Sequence, residues 1–232
     1  MIQYEEKELQ KLRLSLVTMM DYTKDQLQKA EEALLNDDLD LAEEVKHNEA
    51  KVNAFELSLN RDCENYLALH QPVAGDLRLL IVLIKCVTNT ERIGDHAYGI
   101  AKFVLDNEFQ FSKELIDKLN IEAVFDQAED MLNDVIEAME NEESGLARKV
   151  FRKDKFIDNA NLEASNIIKT FYSENPDHDI IDGLYLFRAI NKLERVGDQI
   201  KNIAEEIIFY LEAKVLRHAK KKHKLDSPKD QK

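Results

Sequence analysis

The sequence predicts an all-α protein built as two tandem three-helix bundles related by internal duplication. Three observations carry this. Turn-forming residues are scarce, with six Gly and three Pro in 232 residues, while 34% of the chain is charged and 44% hydrophobic, a balance that suits long helices better than sheets. Apolar residues recur every three or four positions over long stretches, the period of a helix with one buried face. The two halves of the chain also repeat each other, at a spacing longer than that of solenoid repeats.

Shifted by 105 positions, Asp21, Asp25, Leu27, Ala33 and Asn36 fall on Asp126, Asp130, Leu132, Ala138 and Asn141, and Leu41, Ala42, Val45 and Leu57 fall on Leu146, Ala147, Val150 and Leu162. The offset then drops to 103, so that Asp76, Leu83, Glu91, Arg92, Gly94 and Asp95 meet Asp179, Leu186, Glu194, Arg195, Gly197 and Asp198. A loop shorter by two residues accounts for the change. The first helix ends at Asn36-Asp37-Asp38, and the second at Gln71-Pro72-Val73-Ala74-Gly75-Asp76, where Pro and Gly break the periodicity. The third carries the stripe Leu80, Ile84, Val87, Ala97 and Ala101. In the second copy the turns fall at Asn141-Glu142-Glu143-Ser144-Gly145 and Asn175-Pro176-Asp177-His178-Asp179, and the last helix carries Phe187, Ile190, Ile200 and Ala204. Asp76 and Asp179 are placed to cap the helices that follow them. Short loops make neighbouring helices antiparallel, and helices of about 30 residues reach about 45 Å. The expected organisation is a first bundle over residues 1–108, a second over 109–213 and a basic tail over 214–232, where Lys214, Arg217, Lys220, Lys221, Lys222 and Lys224 crowd together.

The net charge of −14 repels nucleic-acid phosphate and anionic lipid, so neither is an expected partner. No run approaches the roughly 20 apolar residues of a membrane span, and the start Met1-Ile2-Gln3-Tyr4-Glu5-Glu6 has no secretory pattern. A cytoplasmic location without membrane insertion is therefore expected. Cys63 and Cys86 lie in helical patterns and read as buried thiols rather than a disulfide framework.

Glu91 interrupts its apolar stripe four residues after Val87, and Asp95 follows one turn later on the same face; Glu194 and Asp198 repeat the arrangement. Carboxylates at i and i+4 repel unless a cation or hydrogen-bond donors lie between them. In an antiparallel hairpin, residues equidistant from the turn sit at one height. This brings Glu49 and Asn53 of the second helix, and Asp21 and Asp25 of the first, level with Glu91 and Asp95. The same construction brings Asp126, Asp130, Asp154 and Asp158 to the level of Glu194 and Asp198. Hard oxygen donors clustered this way suit Mg²⁺, Ca²⁺, Mn²⁺, iron or Zn²⁺. Internal pairing through Arg92 and Arg195 is a competing way to satisfy them, and a chain with 46 acidic residues also carries such pairs on solvated faces. Gly94 and Gly197 each cost about 1 kcal/mol relative to Ala inside a helix. They predict a close approach, read as a tight crossing of the two third helices around a pseudo-twofold axis.

Glu91-Arg92-Ile93-Gly94-Asp95 and Glu194-Arg195-Val196-Gly197-Asp198, with Pro72-Val73-Ala74-Gly75-Asp76-Leu77-Arg78-Leu79 and Asp154-Lys155-Phe156-Ile157-Asp158, resemble the PhoU family of phosphate-signalling proteins over nearly the whole chain. The resemblance implies a cytoplasmic regulator without catalytic activity. Such a regulator links the ATPase of a phosphate ABC transporter to a sensor histidine kinase, restrains uptake and represses phosphate-starvation genes when phosphate is plentiful. It further implies a homodimer, and iron, zinc or manganese held by E/D-x-x-x-D motifs; Mg²⁺ also suits the donor set. Carried over by position, these motifs are Glu91 with Asp95, Glu194 with Asp198, Asp154 with Asp158, and Glu49 with Asn53. Asn53 offers only a neutral carbonyl oxygen, and Gly99 stands where the second copy has Asn202, so the first site is expected to be the weaker. Two other readings compete, a metal-independent helical adaptor and a carboxylate-bridged metalloenzyme. The enzyme would need Glu-x-x-His pairs, whereas Gly94 and Gly197 stand three residues after Glu91 and Glu194. His96 points about 100° away from Asp95 and reads as an exposed or locally bonded imidazole.

Overall fold

The computed structural model describes residues 2–106 and 110–213; the basic tail expected at 214–232 and the junction between the expected bundles at 108–109 lie outside the described residues. The first half holds α1 (Ile2–Asn36), α2 (Leu39–His70) and α3 (Ala74–Leu105), and the second holds α4 (Lys113–Lys118), α5 (Ile121–Asn141), α6 (Ser144–Glu174) and α7 (Ile180–Glu212). No strand occurs among the described residues.

The helix starts follow local chemistry. Asp38 caps α2, its carboxylate accepting from the backbone N–H groups of Asp40 and Leu41, and Asp179 accepts from Ile181 N at the start of α7. Asp76 does not cap α3. The chain enters the helix earlier, with Val73 extended at the N-cap position and making no side-chain cap bond, so Asp76 lies in the first turn. A carboxylate there still complements the positive helix end. The second copy departs from the first at its opening helix. Where α1 runs unbroken, the corresponding stretch is divided into α4 and α5 at Asn120, which adopts the left-handed conformation that Asn tolerates (φ 50, ψ 41).

Within the halves, α1 packs on α2 and α3, and α5 packs on α6 and α7; the halves meet along α3–α7 and α1–α5. Leu16, Leu27, Leu80, Ile93, Phe125 and Ile200 are all fully buried in one continuous core. The α3–α7 contact sets the geometry of the molecule. Lys85 meets Glu206, and Asn202 donates to Asn89 at 3.5 Å. Four residues forward on α3 thus correspond to four residues back on α7, so the helices run antiparallel. The same register brings residue 94 level with residue 197, so the Glu-Arg-apolar-Gly-Asp segments of both copies meet at the crossing.

The glycines at this level serve a different contact from the one expected. A Cβ on Gly94 would stand 3.2 Å from Val52 Cγ1, and one on Gly197 would stand 2.9 Å from Asp154 Oδ1 and 3.4 Å from Ile157 Cδ1. Each glycine therefore lets α3 or α7 approach the second helix of its own bundle. Across the pseudo-twofold axis, the residue that makes room is Gly99, against which the Lys192 side chain lies.

Candidate functional site

In the first copy, α2 and α3 bring Glu49, Glu56, Glu91 and Asp95 close enough to repel one another. Glu91 is half-buried, and burial first, then Asp95 and Glu56, raise its carboxyl from 4.5 to about 7, with Arg92 opposing. Asp95 is raised by burial and by Glu49, with Lys192 opposing. Asn53 donates its amide to Glu49 at 2.8 Å. Among the described residues, no lysine or arginine forms an ion pair with Glu49, Glu91 or Asp95. The first level is, among the described residues, a set of carboxylates without an ion-paired cation.

The second copy solves the same problem internally. Asp154, only 4% exposed, is bridged to Asp198 by Lys201, whose ammonium lies 2.6 Å from Asp154 Oδ2 and 2.7 Å from Asp198 Oδ1. Burial alone would lower the Lys201 ammonium; its bonds to Asp154 and Asp198 outweigh burial and hold it above the usual lysine range. Glu194 is raised by burial and then by Asp198 and Asp158. The buried Asp154 Oδ1 has no hydrogen-bond partner among the described residues. Sequence reasoning missed Lys201, although it stands three residues after Asp198 on one helix face, where an ion pair is geometrically available. Tyr98 occupies the corresponding place in the first copy.

The aspartates of the first helices do not join these levels. Asp21 and Asp25 pair with Lys24 and Lys29 at 3.8 and 2.8 Å, and Lys29 also reaches Glu44. Asp130 pairs with Lys153, which also binds the buried Asp134 at 2.6 Å. Asp126 lies beside Glu31 and Glu129 at the α1–α5 contact. Height along a hairpin fixes only one coordinate, and the 100° step per residue fixes the other. It is Gln26, fully buried with both amide atoms unpartnered among the described residues, that α1 turns toward Gly94.

Donor chemistry at both levels fits a hard cation. Among the described residues, however, no three His, Cys, Asp or Glu side chains converge on one point. At the second level Lys201 already stands between two of the donors. The Arg pairing considered from sequence is not formed: neither Arg92 nor Arg195 makes an ion pair among the described residues.

Between the two levels, on the α3–α7 crossing, lies an open cavity of about 550 Å³. Its walls are twofold-related pairs, Arg92 with Arg195, Asp95 with Asp198, and His96 with Gln199, completed by Glu194. His96 is half-buried there rather than exposed, and burial, then Lys192, Arg195 and Arg92, lower it to about 4, so it is neutral at physiological pH.

The family model of the PhoU domain matches residues 16–104 and again 121–207. The phosphate-specific transport system accessory protein PhoU of Edwardsiella tarda is 32% identical over 213 residues, covering 91% of this chain and 86% of that protein. The PhoU homolog of Pseudomonas putida is 32% identical over 213 residues, 91% of this chain and 82% of its own. The crystal structure of PhoU from Pseudomonas aeruginosa superposes with a TM-score of 0.80 at 29% identity, covering 90% of this chain and 99% of that one. The phosphate transport system regulatory protein PhoU from Streptococcus pneumoniae gives a TM-score of 0.82 at 27% identity, covering 91% and 99%. Two matched domains, with their Glu-Arg-apolar-Gly-Asp segments brought level at the α3–α7 crossing, place this chain in the PhoU family.

Proposed function

We propose that this chain is a negative regulator of phosphate uptake and phosphate-starvation signalling, coupling the ATPase of a phosphate ABC transporter to a sensor histidine kinase. It acts in the cytoplasm, as a homodimer, and without catalysis. The observation that supports this reading is the domain-wide match to relatives named for phosphate transport, with the duplicated motif preserved at the crossing of α3 and α7. A divalent or trivalent cation, iron, zinc, manganese or magnesium, is part of the proposal. Glu49, Asn53, Glu91 and Asp95 would hold it at the first level, where its charge would offset the repulsion that raises Glu91. The corresponding residues Asp154, Asp158, Glu194 and Asp198 would take a second ion only by displacing Lys201.

The metal-independent adaptor is the second reading, favoured by the absence of three convergent donors among the described residues. One experiment separates the two. The tagged chain is used to capture partners from cells grown in high and low phosphate, with and without chelator, and its metal content is measured alongside. The regulator reading expects capture of the transporter ATPase and the kinase; failure to capture either contradicts it. Capture that survives complete removal of metal leaves the adaptor and removes the cation from the account.

A further inference from the structure

We propose that the cavity on the α3–α7 crossing binds inorganic hydrogen phosphate directly; this rests on the regulator reading and supplies it with a sensor. The first argument is the pair of guanidinium groups. Arg92 and Arg195 occupy equivalent places in the two repeats and line one cavity of about 550 Å³. Neither has an ion-pair partner among the described residues. A tetrahedral oxyanion offers enough acceptor oxygens for two planar guanidinium forks at once, which a single carboxylate does not.

The second argument is that two of the three wall carboxylates have a lysine nearby. Asp198 holds Lys201 at 2.7 Å, and Asp95 faces Lys192 across the axis. Arg92 and Arg195 are thus the cations of the wall that no carboxylate holds in an ion pair among the described residues. The third is an unmet acceptor: the buried Oε1 of Gln199, in the same wall, has no hydrogen-bond partner among the described residues.

The combination of arginines with acceptors also selects among oxyanions. Hydrogen phosphate keeps one O–H, which can donate to Asp95 or to Gln199 while its other oxygens accept from the arginines. Sulfate and the dianion of a phosphate monoester carry no such proton, so either would face a wall carboxylate with an unrelieved like-charge contact.

Calorimetric titration of the full chain with inorganic phosphate, sodium sulfate and phosphoserine, each with and without EDTA, tests this. The expected result is one phosphate per chain, with sulfate and phosphoserine weaker by about tenfold or more, unaffected by EDTA. Arg92→Gln and Arg195→Gln should each weaken phosphate by about tenfold or more. Arg61→Gln, on the exposed face of α2, should leave the affinity unchanged, and circular dichroism should report intact helices throughout. No binding of phosphate, equal affinity for sulfate, or binding abolished by EDTA would each overturn the proposal, the last because the anion would then be riding on a metal. Capture of the transporter ATPase at fixed phosphate reports on the regulator reading separately, so intact capture without phosphate binding removes the sensor and keeps the regulator.

Discussion

Asp154 and Gly197 show how much of this molecule turns on single atoms. The Asp154 carboxylate is buried, and it fits beside α7 only because residue 197 has no Cβ. Its other oxygen binds Lys201, so it cannot swing aside freely. Replacing a helical Gly by Ala ordinarily gains about 1 kcal/mol, but overpacking a close contact costs about 1 to 3 kcal/mol. Gly197→Ala should therefore destabilise the protein by about 1 kcal/mol, read as a lower urea midpoint with an unchanged slope. In a Lys201→Met background the carboxylate is released to move and the added methyl should cost less; equal costs in both backgrounds would contradict the coupling. The Glu-Arg-apolar-Gly-Asp motif was legible in the sequence because it occurs twice. The identity of the group facing each glycine was not, since spacing along one helix says nothing of which neighbour approaches it.

At the scale of helices, the contact between α1 and α5 carries its own electrostatic signature. Burial first, then Glu129 and Asp126, raise Glu31 from 4.5 to about 8, and Glu129 is raised as well. A carboxyl whose folded pKa is raised contributes stability that is complete below about pH 4.5 and is lost as pH rises through about 8. The wild-type chain should therefore weaken across that window, and Glu31→Gln should flatten the dependence and be the more stable form above it. Urea titrations at a series of pH values check this; parallel curves for the two proteins would refute it. Helix ends, antiparallel order and core stripes were readable from Pro, Gly, Asp and apolar spacing. The split of the fourth long helix at Asn120 was not, because a single Asn in an otherwise helical pattern does not announce a left-handed residue. The place of Asp126 beside Glu31 and Glu129 was unreadable for a related reason: the sequence gives its height, but the α1–α5 contact that receives it joins two bundles whose mutual packing no local pattern encodes.

The whole molecule is two bundles back to back, with α3 and α7 antiparallel at the centre and equivalent residues of both copies meeting there. Duplication supplied near-symmetry, and the chain has used it asymmetrically. Lys201 bridges two carboxylates of one acidic level while Tyr98 stands in its place at the other, and Gly99 admits Lys192 where the other side places Asn202 against Asn89. A central cavity lined by paired residues of both repeats lies between two unlike carboxylate levels, and the proposed role of this chain is regulation of phosphate uptake and phosphate-starvation signalling. The most direct test of that account is expression from a phosphate-starvation promoter in phosphate-rich medium, in cells whose chromosomal copy of this gene is deleted. The account predicts high constitutive expression, restored to repression by the intact gene on a plasmid. Normal repression in the deletion strain would contradict it.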